Sequence, residues 1–300
     1  MLFSPYPFRA SDNHQLHVYK SDVPNAKMNL LIVHGMAEHG ARYERFAKAA
    51  AEKGIQIIVP DLRGHGRTSE LNGQRGVFGE GGWKRVGEDV GELATQITNE
   101  TNLPLYVLGH SMGSMVALTT IERGLIQPKG AILSALPPHP GALVYAGKVL
   151  SKIVSVFKDK NKPNHFMDKL TFGEFNKGIA NAETSFDWLS RDQQEVKKYI
   201  DDPDCGEVFS TGFFGQLADL TDFAHKNLSK VDKTLPILYI AGNADPVVEK
   251  EKGTEKVIDA FQKHSSAFTA QIFHEARHEL LNETNRDQVT AFVLDWIEQH

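Results

Sequence analysis

The 300-residue chain has a single cysteine, Cys205, which rules out an internal disulfide and sets the expectation of no cysteine-coordinated zinc site. It has no basic run. Its 33 Lys and Arg stand against 38 Asp and Glu, a net charge of -5, so electrostatic nucleic-acid binding is excluded as a class. A long apolar run is also missing. The longest uncharged stretch, 130–147, carries Pro137, Pro138 and Pro140 in its middle, which no spanning helix tolerates easily. The first residues, Met1 to Pro7, lack the basic and apolar regions of a signal peptide, so a soluble, cytoplasmic protein is expected. Repeats and low-complexity tracts are absent. What remains is globular composition, 41% hydrophobic and 24% charged, in a chain long enough to bury a proper core.

Short apolar runs bounded by Gly, Pro, Asp or His recur: 29–33, 55–59, 105–108, 131–133, 237–241 and 268–273. Runs of this length without alternation are what strands buried on both faces look like. Between them, Tyr43 to Lys53, Val86 to Thr98 and Val289 to Ile297 space their apolar residues at helical intervals. The alternation predicts an α/β fold with a mostly parallel central sheet flanked by helices. It breaks once, between about Pro138 and Asp232, where only helical patterns and loops occur. We read residues 1–137 and 234–300 as two parts of one core, and 138–233 as a helical insertion over one edge of the sheet. Within the insertion, Gly141 to Phe157 presents Leu143, Val144, Ala146, Val149, Leu150, Ile153, Val154 and Phe157 as one apolar face. Ser190 to Gln193 has capping-box spacing and predicts a helix to about Ile200, closed by the turn residues Pro203 to Gly206.

Two catalytic signatures compete. Gly109-His110-Ser111-Met112-Gly113 fits the G-x-S-x-G turn that holds a nucleophilic serine, and His274-Glu275-Ala276-Arg277-His278 fits the H-E-x-x-H zinc helix. The zinc motif needs a helix to aim both imidazoles at one ion, yet here it directly follows a strand-like run. The serine motif has its context: the 105–108 strand before it and an apolar helix start, Ser114 to Leu118, after it. A serine needs a general base held by a carboxylate, in the chain order Ser, acid, His, each after a strand. Asp245 follows the 237–241 strand, and His278 follows the 268–273 strand. His274 is the nearer competitor but abuts the strand end, whereas His278 precedes a plausible helix start. His110 reads as a packing and hydrogen-bonding residue. An oxyanion needs two N–H donors, for which Met112 and, in the glycine-rich loop 34–40, Met36 are the candidates. No metal or organic cofactor is required by this chemistry.

These segments resemble the α/β-hydrolases, closest to the monoacylglycerol lipase and lysophospholipase branch grouped with serine aminopeptidase-like hydrolases. The resemblance rests on His34-Gly35-Met36-Ala37-Glu38-His39 with Arg42-Tyr43, Asp61-Leu62-Arg63-Gly64-His65-Gly66-Arg67, Gly109 to Gly113, Asp245-Pro246-Val247, Phe186 to Asp192 and Arg277 to Glu283. It runs from about residue 10 to the C-terminus. It implies antiparallel first strands at one sheet edge, a helical lid over the serine, and Ser111, Asp245 and His278 as the triad with Met36 and Met112 amides as the oxyanion hole. Met36 stands where this branch often has a small residue, which implies a narrower or reshaped acyl pocket.

Three readings of function follow. The first is a serine hydrolase acting on carboxylic esters, monoacylglycerols or lysolipids. The second is an aminopeptidase or amidase of the same fold, with Glu38, Glu183 and Asp187 as candidates to hold an α-amine. The third is a non-catalytic ligand-binding hydrolase fold. Glu38 and Arg42, four residues apart, read either as an ion pair at a helix start or as a site for the alcohol part of a polar ester. The apolar face of 141–157, with Lys148 and Lys152, reads either as a membrane-touching lid or as a helix packed on the core. Cys205 reads as an inert thiol near a turn, and 63–66 as a structural loop.

Overall fold

The computed structural model describes residues 2–157 and 159–300, less the side chains of residues 143, 146 and 155–157. The described residues form an eight-stranded sheet in the order β1-β2-β4-β3-β5-β6-β7-β8. Its strands are β1 (Phe3–Arg9), β2 (Gln15–Ser21), β3 (Met28–Val33), β4 (Ile55–Pro60), β5 (Leu105–His110), β6 (Gly130–Ser134), β7 (Ile237–Gly242) and β8 (Phe268–Phe273). From β4 to β8 all neighbours are parallel, while β2 runs antiparallel to both β1 and β4. The six apolar runs seen in the sequence are strands β3 to β8, but β8 closes the other edge of the sheet and is only partly buried, not covered on both faces as its run predicted. The first strands, β1 at the edge and β2 beside it, match only the arrangement that the family resemblance implied. The prolines of β1 and the polar residues of β2 give no continuous apolar run.

Both faces of the sheet are covered. Along β3, Leu31 and Val33 join one core with Val86, Val90, Val116 and Val257, while Leu30 and Ile32 join another with Phe46, Ala50, Val293 and Trp296. The first core places α3 (Gly82–Thr101), α4 (Met112–Glu122) and α9 (Lys250–Gln262) on one face. The second places α1 (Glu44–Glu52) and α10 (Arg286–Gln299) on the other. This alternation of sides along one strand is the period-2 geometry of the pleat. The 63–66 loop, whose last residue opens α2 (Gly66–Asn72), is structural: Arg63, buried, forks onto Asp89 and Asp12.

Between β6 and β7 the described residues form helices and loops, with a single isolated bridge between Pro163 and Ser210. The helices are α5 (Ala142–Phe157), α6 (His165–Phe172), α7 (Gln193–Asp201) and α8 (Thr211–Lys226). The insertion does not lie over one sheet edge. It crosses the carboxyl ends of the strands, where Gly206 N–H and the Tyr199 hydroxyl donate to the Ala37 carbonyl. Glu279 N–H donates to Leu189 O, and Arg277 Nη1 to Asp187 O. Asp192, not Ser190, caps α7, its carboxylate accepting from Gln194 N–H. Ser190 instead donates to the Asn282 carbonyl, tying the insertion to the loop after β8.

At the end of α4, Glu122 is buried, and neither carboxylate oxygen finds a hydrogen-bond partner among the described residues. Burial pushes its pKa up to about 9, against a weaker opposing pull from Lys230. A raised folded-state pKa contributes stability that is complete below the unfolded value and lost as pH rises through the folded one. Each pH unit across that window costs about 1.4 kcal/mol. Glu122→Met removes the titration and is expected to raise stability by about 2 kcal/mol at neutral pH. The gain should shrink steadily toward pH 4 in denaturant titrations, and a gain independent of pH would contradict this account.

Candidate active site

The site begins with a strained turn. Ser111 joins β5 to α4 with φ 53° and ψ -119°, a conformation that L side chains rarely adopt. A Cβ on Gly113 would run into the carbonyl oxygens of Val33 and His34, and one on Gly109 into the backbone of Gly113 and Ser114. Glycine at both places lets the helix start press against β3 and the turn stay tight. Met112 is the first residue of α4, so its N–H has no acceptor inside the helix.

The loop after β3 comes alongside. A Cβ at Gly35 would stand 3.4 Å from Ser111 Cβ. His34 fixes this loop from within: its Nδ1 lies 2.7 Å from the Gly35 carbonyl, and its Nε2 accepts from Leu62 N–H at 2.9 Å. Burial pushes the ring down to about 3, so it is neutral, with the proton on Nδ1 donated to that carbonyl. The Gly35 oxygen and Met36 N–H belong to one planar peptide, so pinning the first aims the second.

Glu38 holds the same loop. One of its oxygens accepts from Gly35 N–H at 2.6 Å and the Tyr43 hydroxyl at 3.0 Å, and the other meets Arg42 at 2.8 Å. Arg42 also forks onto Glu279 at 2.6 and 2.7 Å. The Glu38–Arg42 ion pair is therefore present, inside the protein. The geometry favours the ion pair over a site for the alcohol part of an ester, since Glu38 is buried, the Arg42 side chain is only 10% exposed, and the two engage each other and Glu279 within the fold.

The remaining pair comes from the loops after β7 and β8. A Cβ on Gly242 would strike the Ala276 and Arg277 carbonyls, so glycine lets the two loops touch. Asn243 accepts from Glu275 N–H at 2.7 Å, and Ala244 N–H donates to Ala276 O at 3.1 Å. This stitching leaves Asp245 Oδ2 2.8 Å from His278 Nδ1, with Asp245 Oδ1 accepting from Val247 N–H at 2.8 Å. Both side chains are buried. Burial pulls His278 down, but the Asp245 carboxylate outweighs it and holds the ring above its ordinary value of 6.5. His110, whose ring centroid is 4.8 Å from that of His278, is pushed down to about 4 by burial and then by His278, so it is neutral.

His274 is exposed in the turn after β8, and the 274–278 segment is not helical, so the zinc-helix geometry is not formed. The sequence assigned no role of their own to four residues around the site: His34, Gly242, Glu279 and Trp188, whose ring lies 5.2 Å from His278. Glu279 stands in the sequence only as part of a helix start and of the 277–283 segment that carries the resemblance. Next to the site is a cavity of about 300 Å³ walled by Met36, Phe172, Phe186, Trp188 and Tyr199. Met36 is one of the residues that wall this cavity.

A sheet in this order, with a strained serine turn after β5 and a paired aspartate and histidine after β7 and β8, defines an α/β-hydrolase. The sequence profile of the serine aminopeptidase S33 family, Hydrolase_4, matches residues 24–285, and the chain belongs to that family. It is 26% identical over 281 residues to a monoacylglycerol lipase of Mycolicibacterium smegmatis, covering 90% of this chain and 88% of that protein. It is 23% identical to an uncharacterized abhydrolase domain-containing protein of Dictyostelium discoideum, of whose length it spans 26%. A thermostable carboxyl esterase of Bacillus coagulans, solved in complex with glycerol, superposes with a TM-score of 0.92 at 22% identity, over 100% of this chain and 99% of that one.

Proposed function

We propose that this chain hydrolyses carboxylic esters, with long-chain monoacylglycerols and related lysolipids as its substrates, through an acyl-enzyme on Ser111. The observation that carries the reading is the buried Asp245–His278 pair set beside the strained Ser111 turn. In this mechanism Ser111 Oγ attacks the ester carbonyl and His278 Nε2 takes its proton. The Met36 and Met112 amides receive the oxyanion, and the protonated imidazole returns the proton to the leaving alcohol. Asp245 fixes the tautomer and steadies the imidazolium. Water then attacks the acyl group by the same proton route. Ser111 Oγ has no hydrogen-bond partner among the described residues, so its bond to His278 forms as the substrate is seated.

The aromatic side chains of the cavity beside Met36 and Trp188, which Asp168, Lys169 and Glu207 also line, support a lipid acyl chain with a polar end. The similarity to a monoacylglycerol lipase points the same way. The aminopeptidase alternative loses two of its acids: Glu38 is engaged by the oxyanion loop, and Asp187 is buried, accepting from Glu183 N–H and the Thr184 hydroxyl. The direct test is fatty-acid release from a long-chain monoacylglycerol and a matched lysophospholipid, beside an amino-acyl anilide. Release from the lipids and not the anilide is expected, and the reverse would move the chain to the peptidase reading.

Because His278 must be neutral to accept the Ser111 proton, kcat/KM is expected to fall on the acid side with a midpoint above 6.5. Asp245→Asn should lower that midpoint and reduce kcat by about 10⁴-fold. A wild-type midpoint near 4 would instead assign the base to another group.

The 138–233 insertion acts as the lid in this reading, and it touches a membrane surface transiently. Tyr145, Val149 and Ile153 on α5 and Phe166 and Leu170 on α6 are large apolar side chains left exposed. Lys148 is turned away from any headgroup, paired with Asp219 and Asp222 on α8, while Lys152 is exposed. Leu143, Ala146 and Phe157 of the predicted apolar face lie, as side chains, outside the described residues. No helix among the described residues is long and apolar enough to cross a membrane. Val149→Glu with Leu170→Glu should weaken sedimentation with phosphatidylcholine vesicles while leaving hydrolysis of a short soluble ester intact. Unchanged sedimentation would remove the membrane contact.

A further inference from the structure

Away from the serine, the loop after β3 and the turn after α7 bring three metal-ligating side chains together. His39, Asp202 and Cys205 each offer one donor atom, and the three atoms lie within 4.8 Å of one another. His39 Nε2 and Asp202 Oδ2 are already 3.0 Å apart. We propose that His39, Asp202 and Cys205 form a binding site for a thiophilic divalent cation of the zinc(II) class, tying the insertion to the loop that carries Met36.

The donor set selects the ion. The single cysteine predicts no cysteine-coordinated zinc site, an expectation that the placement of His39 and Asp202 beside Cys205 corrects: one thiolate, one imidazole and one carboxylate suit zinc(II) and cobalt(II), whereas calcium and magnesium take oxygen ligands. Around a tetrahedral zinc the donors stand about 3.3–3.8 Å apart, so the Cys205 sulfur needs to close by up to about an ångström while the His39–Asp202 pair opens by a few tenths. Water takes the fourth position. Asp202 is held for the purpose, its other oxygen accepting from Asp204 N–H at 2.9 Å. The nearby Arg42 does not repel the ion, because its charge is matched by the two carboxylates of Glu38 and Glu279. An open groove lined by His39, Asp202 and Pro203 gives the ion its path.

Binding balances simply. The Cys205 S–H bond breaks as the sulfur–metal bond forms, and one proton leaves to solvent. In the bound state the His39 proton sits on Nδ1, so that Nε2 gives its lone pair to the ion in place of the contact with Asp202. The consequence is mechanical. Gly206 N–H and the Tyr199 hydroxyl already reach the Ala37 carbonyl, and the ion adds a second tie between the same two segments.

Cys205 is the chain's only cysteine, which makes the test specific. Cobalt(II) added to the protein should give a thiolate-to-cobalt charge-transfer band in the near ultraviolet. The band should vanish in Cys205→Ser, and cobalt affinity should fall at least tenfold in Asp202→Asn and in His39→Gln. Zinc(II) should displace the cobalt and raise the unfolding temperature of wild type but not of Cys205→Ser. Asp202 and Cys205 are only partly buried, so both variants should fold, which a wild-type circular dichroism spectrum verifies. No band in wild type, or a band that survives in Cys205→Ser or is untouched in Asp202→Asn, overturns the site.

Discussion

Ser111→Ala should lose ester hydrolysis by roughly 10³–10⁶-fold while folding as the wild type does. The loss is large because the hydroxyl is the only atom that can carry the acyl group, and what remains is the oxyanion donors and substrate binding. Folding survives because Ser111 Oγ makes no hydrogen bond among the described residues, and alanine keeps the Cβ that the turn already tolerates. A companion variant separates chemistry from strain. Ser111→Gly also lacks the hydroxyl, but glycine takes φ 53° and ψ -119° readily, so it should be the more stable of the two by about 1 kcal/mol. Paired rate assays and denaturant titrations check both. Hydrolysis persisting in purified Ser111→Ala would remove the acyl-enzyme.

Arg42→Ala should cost about 3–5 kcal/mol of stability, because it strands two buried carboxylates, Glu38 and Glu279, that now share one guanidinium. The cost extends to activity. Glu38 holds Gly35 N–H, so a displaced Glu38 releases the loop that aims Met36 N–H. Arg42→Lys keeps the charge but not the fork onto Glu279, and should fall between wild type and alanine. The alcohol-binding alternative predicts something else: a raised KM with the denaturation midpoint unchanged. Measuring both quantities on the same variants decides between them.

The parallel strands and the Ser111, Asp245 and His278 positions were legible because each is written locally, as an apolar run ending at Gly, Pro, Asp or His. The pairing of Asp245 with His278 needed only chain order and strand ends. The supports were not legible. Glu279 reaches across 237 residues to Arg42, and no local pattern announces such a contact. Gly242 looked like any strand-terminating glycine until the Ala276 carbonyl was seen to fill the place of its Cβ. Strand β1 carries two prolines and exposed positions, the pattern of an edge, and β2 interrupts its apolar residues with His17 and Lys20, so neither reads as a continuous buried run. The capping of α7 was displaced by two residues because Ser190 bonds to a loop distant in sequence, leaving Asp192 to cap the helix.

The central claim is that Ser111 is a nucleophile activated by His278. Its most direct test is the mass of the intact protein after reaction with a fluorophosphonate, followed by mapping of the modified peptide. One adduct per chain on Ser111, absent in Ser111→Ala and strongly slowed in His278→Ala, is the predicted result. An unmodified wild-type protein, or an adduct on another residue, would contradict it.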